Sequence, residues 1–113
     1  MTTRDVMAKA MTEDELLSCV VDMARKQYGW RVAHFRPART NKGYRTLMQG
    51  DPGFPDLVLA KEGRVLFVEL KSERGELSAE QEAWLFDLDE QAKVWRPSDW
   101  LNNSIERILR GES

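Results

Sequence analysis

The stretch Gly53-Phe54-Pro55-Asp56-Leu57-Val58-Leu59-Ala60-Lys61-Glu62-Gly63-Arg64-Val65-Leu66-Phe67-Val68-Glu69-Leu70-Lys71 decides the fold of this chain. It holds two β-type runs, DLVLA and RVLFVELK, joined by Lys61, Glu62 and Gly63, a pattern that predicts a β-hairpin. Successive strand residues face opposite ways, so Val65, Phe67, Glu69 and Lys71 share one side of the second run, and Leu66, Val68 and Leu70 the other. Glu69 and Lys71 are then neighbours on one face, with Cα atoms roughly 7 Å apart. An acid and a base in such apolar sequence belong at the end of a mostly buried strand. Ionised groups stand there only when paired or bound to a metal.

With the hairpin turning at Glu62 and Gly63, Asp56 falls opposite the Glu69–Lys71 end. Two carboxylates and an ammonium then converge at one sheet edge. Such a carboxylate pair suits Mg²⁺ or Mn²⁺, hard cations that bind through one or two carboxylates and keep several waters. A metal held there lowers the pKa of a water and stabilises charge developing on a phosphate. Lys71 can orient or deprotonate the attacking water, or stabilise that charge. The bland alternative is a surface ion pair beside an aspartate that caps a turn. The spacing of Asp56 ahead of the pair favours the site.

Upstream, Thr12 reads as an N-cap with Glu15 completing a capping box, and apolar residues at 16, 17, 20, 21 and 24 predict an amphipathic helix ended by Gly29. Residues 1–11 read as a flexible leader, and 12–113 as one domain. Trp30 to Phe35 reads as a strand. The segment from Arg36 to Gly53, with Pro37, Gly43, Gly50 and Pro52, reads as a long irregular loop. Downstream, Ser78 and Gln81 form a second capping box, opening a helix with Trp84, Leu85 and Leu88 on its apolar face. Lys93 to Arg96 reads as a last strand stopped by Pro97. A final helix capped by Ser98 or Asp99 carries Leu101, Ile105, Ile108 and Leu109. The order is α, β, β, β, α, β, α.

Composition narrows the function. The chain has 113 residues, 42% apolar and 32% charged, as expected of one globular domain. One cysteine, Cys19, rules out an internal disulfide, and one histidine, His34, rules out a Cys/His zinc site. His34 itself reads as a half-buried core residue. No apolar run is long enough for a membrane span, and the N-terminus lacks a signal-peptide core, so a cytoplasmic setting is expected. The net charge is −2, yet from Arg31 to Gly50 there are basic residues and no acidic ones. Arg36, Arg39, Lys42 and Arg45 in this segment are candidate DNA-binding residues, and Arg74 after the second run is another.

The motifs Gly53-Phe54-Pro55-Asp56-Leu57, Val68-Glu69-Leu70-Lys71 and Gly75-Glu76-Leu77-Ser78-x-x-Gln81-x-x-Trp84 together resemble the virus-type replication-repair nuclease domain (VRR-NUC) of the PD-(D/E)xK superfamily. The resemblance covers roughly residues 12 to 101 and includes Val94-Trp95-Arg96-Pro97-Ser98-Asp99-Trp100. It implies a restriction-endonuclease-like αβββαβ core, with a mixed central sheet flanked by helices. It implies Mg²⁺- or Mn²⁺-dependent cleavage of DNA, often branched DNA such as Holliday junctions. Asp56 and Glu69 would be metal ligands and Lys71 would serve the nucleophile. Gln81 matches the family's supporting glutamine, although its capping role alone explains its place. Superfamily members commonly add a carboxylate from the first helix, where Glu13, Asp14 and Glu15 stand. Glu13 lies on the apolar stripe while Glu15 faces away, so Glu13 is the expected third catalytic and metal-binding acid, unless the first turn is exposed and its acids only favour the helix dipole. Free-standing members act as homodimers on symmetric substrates, which is the expectation here. The family is widespread in phages and bacteria, and the cytoplasm would be the host's for a phage-encoded chain. The competing reading is a nuclease-fold binding or assembly module that does not cut. The intact Asp56, Glu69 and Lys71 argue against it.

Overall fold

The computed structural model describes residues 1–35 and 50–112 in full and, between them, the backbone of two short strands. In chain order the elements are α1 (Thr3–Ala10), α2 (Glu13–Asp22) with a wider turn at Met23–Gln27, β1 (Arg31–His34), β2 (Ala38–Thr40) and β3 (Gly43–Arg45). There follow β4 (Leu57–Lys61), β5 (Arg64–Leu70), α3 (Ala79–Leu88), β6 (Ala92–Trp95), α4 (Pro97–Leu101) and α5 (Ser104–Leu109). No helix among the described residues is long and apolar enough to cross a membrane.

The hairpin sets the frame. Lys61 pairs with Arg64, so Glu62 and Gly63 alone make the turn, both at positive φ (48° and 83°). Two positive-φ residues give a turn whose twist matches the strands it joins. This register puts Leu57 opposite Val68, and β1 pairs antiparallel on the other side of β4. β6 pairs parallel with β5, which requires a crossover, and α3 supplies it. The four-stranded sheet therefore runs β1-β4-β5-β6. With α2 before it and α3 between β5 and β6, this is the restriction-endonuclease-like core with a mixed sheet.

The two sheet faces differ as the strand alternation predicts. Leu57, Leu59, Leu66, Val68 and Leu70 bury one face against Leu16 and Val20 of α2, Ala24 of the wider turn after it, and Ile105 and Leu109 of α5. Trp30 and Trp95 join this core, and the buried Trp30 indole donates to the Leu109 carbonyl at 2.8 Å, satisfying a helix-end acceptor. The other face of β5 carries Phe67 and Glu69. Phe54 packs edge-on against Phe67, Phe35 and Trp84 with ring centroids 6.0, 5.3 and 4.9 Å apart. This cluster ties α3 to the segment that precedes Asp56.

Three expectations are corrected. Residues 3–10, read as part of a leader, form a helix with a Thr2–Asp5 capping box and a buried Ala8. The stretch read as irregular loop contains a two-stranded ladder, β2 with β3. The single final helix is two, broken at Asn102 and at Asn103, whose φ is 66°; its opening residue is Pro97, after Arg96, not Ser98 or Asp99. Proline fits the first helical position because no intrahelical N–H is needed there.

Gly53 holds α3 close to the strand that begins at Leu57. Its φ is +94°, and a Cβ there would stand 2.6 Å from the Glu80 carbonyl carbon and 2.8 Å from the Gln81 nitrogen. Gly50 is also at positive φ (+114°), but a Cβ there would meet nothing within 4 Å. Gly53→Ala therefore adds a backbone collision to the conformational strain that both substitutions share. It should cost about 2 kcal/mol more in urea unfolding than Gly50→Ala. Equal losses in the two variants would show that α3 yields without cost.

Candidate active site

The start of β4 and the end of β5 meet at Asp56. Its carbonyl accepts from Phe35 N at 3.0 Å, extending the β1–β4 ladder by one rung. Its Oδ2 accepts from Leu70 N at 2.9 Å. The aspartate is thus pinned to the strand that carries Glu69 and Lys71, and its other oxygen stays outside that bond.

Glu69 is the buried charge of the site, with 2% of its surface exposed. Its Oε2 lies 3.1 Å from Gln81 Nε2, which donates, and 3.7 Å from Lys71 Nζ. Its Oε1 is buried and has no hydrogen-bond partner among the described residues. Burial first, and then the negative charge of Asp56, push the Glu69 carboxyl up to about 8. Lys71 opposes the rise and Glu13 adds to it.

Gln81 caps α3 and also reaches Glu69. Its Oε1 accepts from Ser78 N at 2.9 Å, completing the capping box of α3, while its Nε2 reaches Glu69. The cap fixes the amide plane, so the side chain that starts the helix also points its donor at the acid. At the start of α2, Glu15 is the capping acid: its Oε1 accepts from Thr12 N at 3.0 Å. Glu13 is the acid that senses the site. Although it is an exposed residue, partial desolvation raises its pKa, the Asp56 charge raises it further, and Lys71 lowers it.

The structure thus brings Asp56, Glu69, Lys71, Gln81 and Glu13 to one end of the sheet. Arg74 is exposed on the turn after Lys71. Arg36 and Lys42 lie outside the described residues, as do the side chains of Arg39 and Arg45, whose backbones belong to β2 and β3. Sequence reasoning passed over Gly53 and Phe54 as supports of the site. Phe54 stood inside the quoted motif, but its contacts with residues 19 places before and 30 after it are visible only in three dimensions.

The donor set fits a hard divalent cation. A buried carboxylate oxygen without a donor, beside a second carboxylate, is the arrangement a cation satisfies and a neutral donor does not. No group of three or more His, Cys, Asp or Glu side chains is placed to hold a metal among the described residues. Asp56 and Glu69 would be the holding pair, with Glu13 adding charge from further off.

The buried acid makes stability depend on pH. The folded chain keeps the Glu69 proton up to about pH 8, whereas an ordinary glutamate releases it near 4.5. Between these values the folded state binds more protons, so metal-free stability falls as pH rises and levels off above about 8. Glu13 shifts in the same direction and adds to the trend. Glu69→Gln, which keeps the neutral shape, should melt near wild type at pH 5 and clearly above it at pH 8. Parallel melting curves for the two proteins across this range would refute the assignment.

Set beside known protein families, residues 4–96 match the VRR-NUC domain. No curated protein and no solved structure matches the chain. The matched span begins within α1, runs through all five residues gathered at the sheet end, and closes at Arg96 just after β6. It takes in most of the 113 residues, and the chain therefore belongs to the VRR-NUC family of nuclease domains.

Proposed function

We propose that this chain is a Mg²⁺- or Mn²⁺-dependent deoxyribonuclease that cuts branched DNA, four-way junctions among them, as a homodimer. The observation that carries the reading is Glu69: a carboxylate buried on an apolar strand, beside a second carboxylate, with one oxygen left without a donor. A fold under no demand for chemistry gains nothing from that arrangement, since an apolar residue of similar volume would be at least as stable there.

In this reading Asp56 and Glu69 hold the cation. When bound it polarises the phosphoryl group and lowers the pKa of a water. Lys71 lies on the same strand face as Glu69, within 3.7 Å of its carboxylate. Its ammonium orients the attacking water and stabilises the negative charge that builds on the phosphoryl oxygens as the P–O bond to the leaving oxygen breaks. Gln81 holds Glu69 in place, and Asp56 is held by the Leu70 amide. Arg74 and the basic residues Arg36, Arg39, Lys42 and Arg45 would meet backbone phosphates.

Charge also limits the direction of approach. Between Gly75 and Lys93 the chain has six acids and no base, and α3 displays Glu80, Glu82 and Asp87 to solvent. These acids repel backbone phosphates, whereas the described cations Lys71 and Arg74 attract them. A two-fold dimer would set two such approaches against the two equivalent strands of a junction.

Labelled linear, flap and four-way-junction DNA, incubated with Mg²⁺, Mn²⁺ or EDTA, tests the reading. Cleavage by the wild type should need metal, and Lys71→Ala and Glu69→Ala should each lower it by about 10²-fold or more. Junction binding without cleavage under every metal would favour the binding-module reading. In light scattering at micromolar concentration the protein should show twice the protomer mass, and a protomer mass alone would overturn the dimer.

A further inference from the structure

Arg96 follows β6 directly, and its guanidinium turns back over the loop that leaves β5. Its Nη1 donates to the carbonyls of Gly75 at 2.7 Å and Ser72 at 2.8 Å, with Glu73 O further off at 3.4 Å. Three main-chain acceptors converge on one cationic nitrogen, in a turn that Gly75 N closes onto Ser72 O at 3.2 Å. Charge-assisted donors are about twice as strong as neutral ones, so this grip outweighs the turn's own bond. The turn is held from its other side too, because Glu73 Oε1 accepts from Ser98 N at 3.0 Å. Arg96 is fixed in turn: its own N donates to Asp99 Oδ2 at 2.8 Å, and Pro97 after it is buried.

The turn follows Lys71 directly in the chain. Lys71 N donates to Trp95 O at 3.1 Å, the rung that sets its backbone one residue from Arg96. A Cβ built at Gly75 would stand 3.5 Å from Lys71 Cδ, so the residue that closes the turn faces the lysine's aliphatic stem. A lysine side chain has about 2 kcal/mol of rotamer entropy to lose, and a single ion pair at 3.7 Å is a weak restraint on it.

We propose that Arg96 is a positioning residue for Lys71: by fastening the Ser72–Gly75 turn, it holds the lysine stem that delivers the ammonium to Glu69 and the reacting phosphate. This rests on the nuclease reading for its catalytic meaning, but the mechanical claim stands apart from it. Arg96 acts through the turn and touches no reacting atom.

The test compares wild type, Arg96→Gln and Arg96→Lys, each first shown to be folded by its thermal transition. Side-chain carbon relaxation of Lys71 Cε in the metal-free proteins reads the positioning without any cleavage. It should report a more mobile methylene in Arg96→Gln and partial recovery in Arg96→Lys. On the junction substrate, kcat should fall about tenfold to a hundredfold in Arg96→Gln with KM within about threefold of wild type, because a displaced catalytic group loses rate, not affinity. An unchanged Lys71 Cε in folded Arg96→Gln overturns the proposal. So does a rise in KM at constant kcat, which would make Arg96 a DNA contact. Should Arg96→Gln not fold, Arg96→Lys is read alone against the same two criteria. A wild type that cuts no DNA sinks the nuclease reading, and the relaxation measurement still decides the role of Arg96.

Discussion

One buried carboxylate constrains the rest of this structure. Taking an ion of this size out of water costs several kcal/mol even after the surroundings relax. The hydrogen bond from Gln81 returns about 1 kcal/mol, and the Lys71 ammonium sits too far away, at 3.7 Å, to neutralise the charge fully. Asp56 makes matters worse by adding a like charge. The protein therefore answers in the one way left to it without a cation, by keeping a proton on Glu69 well above the usual carboxylate range. A site in debt for positive charge is unfavourable in isolation and receptive to a divalent ion. Stability alone would sooner exclude a carboxylate from this position.

Every support of Glu69 depends on strand register. The side-chain period of a strand is two, so a slip of one residue between β4 and β5 would send Glu69 to the core and Leu70 to the site. The two-residue turn at Glu62 and Gly63 prevents that slip because its positive-φ pair fits only one alignment. The core face prevents it again, since Leu66, Val68 and Leu70 must all meet α2 and α5 together. The apolar pattern that folds the hairpin and the polar pattern that arms it are written on alternate positions of the same seven residues.

That alternation is why the centre of the fold was legible in sequence. Local signals with short reach, such as the Thr12–Glu15 and Ser78–Gln81 capping boxes and the Glu62–Gly63 turn, gave correct elements because their physics is complete within four residues. The first helix had its own local signal in Thr2 and Asp5, yet it was overlooked because its only buried side chain is Ala8, and Val6 and Met7 stay exposed. The break at Asn102 and Asn103 interrupts an apolar spacing that otherwise reads as one continuous helix. At the candidate site, the convergence of Asp56, Glu69 and Lys71 was visible through their chemistry and spacing. Gly53 and Arg96 were not, since one matters for an approach to residues 27 and 28 positions away and the other for carbonyls 21 to 24 positions back. Backbone acceptors carry no residue identity, so no sequence pattern marks the side chain that binds them.

The supports share a design that follows from where they start. Gln81 lies in the first turn of α3, Glu13 opens α2 and Arg96 directly follows β6, so each polar group sits at or beside the end of a regular element. Element ends are where backbone groups lack internal partners and where polar side chains are needed in any case. Gln81 shows the economy of this most clearly, because one amide meets the helix's need with its oxygen and the acid's need with its nitrogen. Arg96 does the same at a turn, satisfying carbonyls that would otherwise face a partly buried interior. Functional geometry here is obtained by giving a second task to groups that the fold already had to place. Such groups are held by secondary structure on one side and so have little freedom on the other, which is the condition for aiming a catalytic side chain from a domain this small.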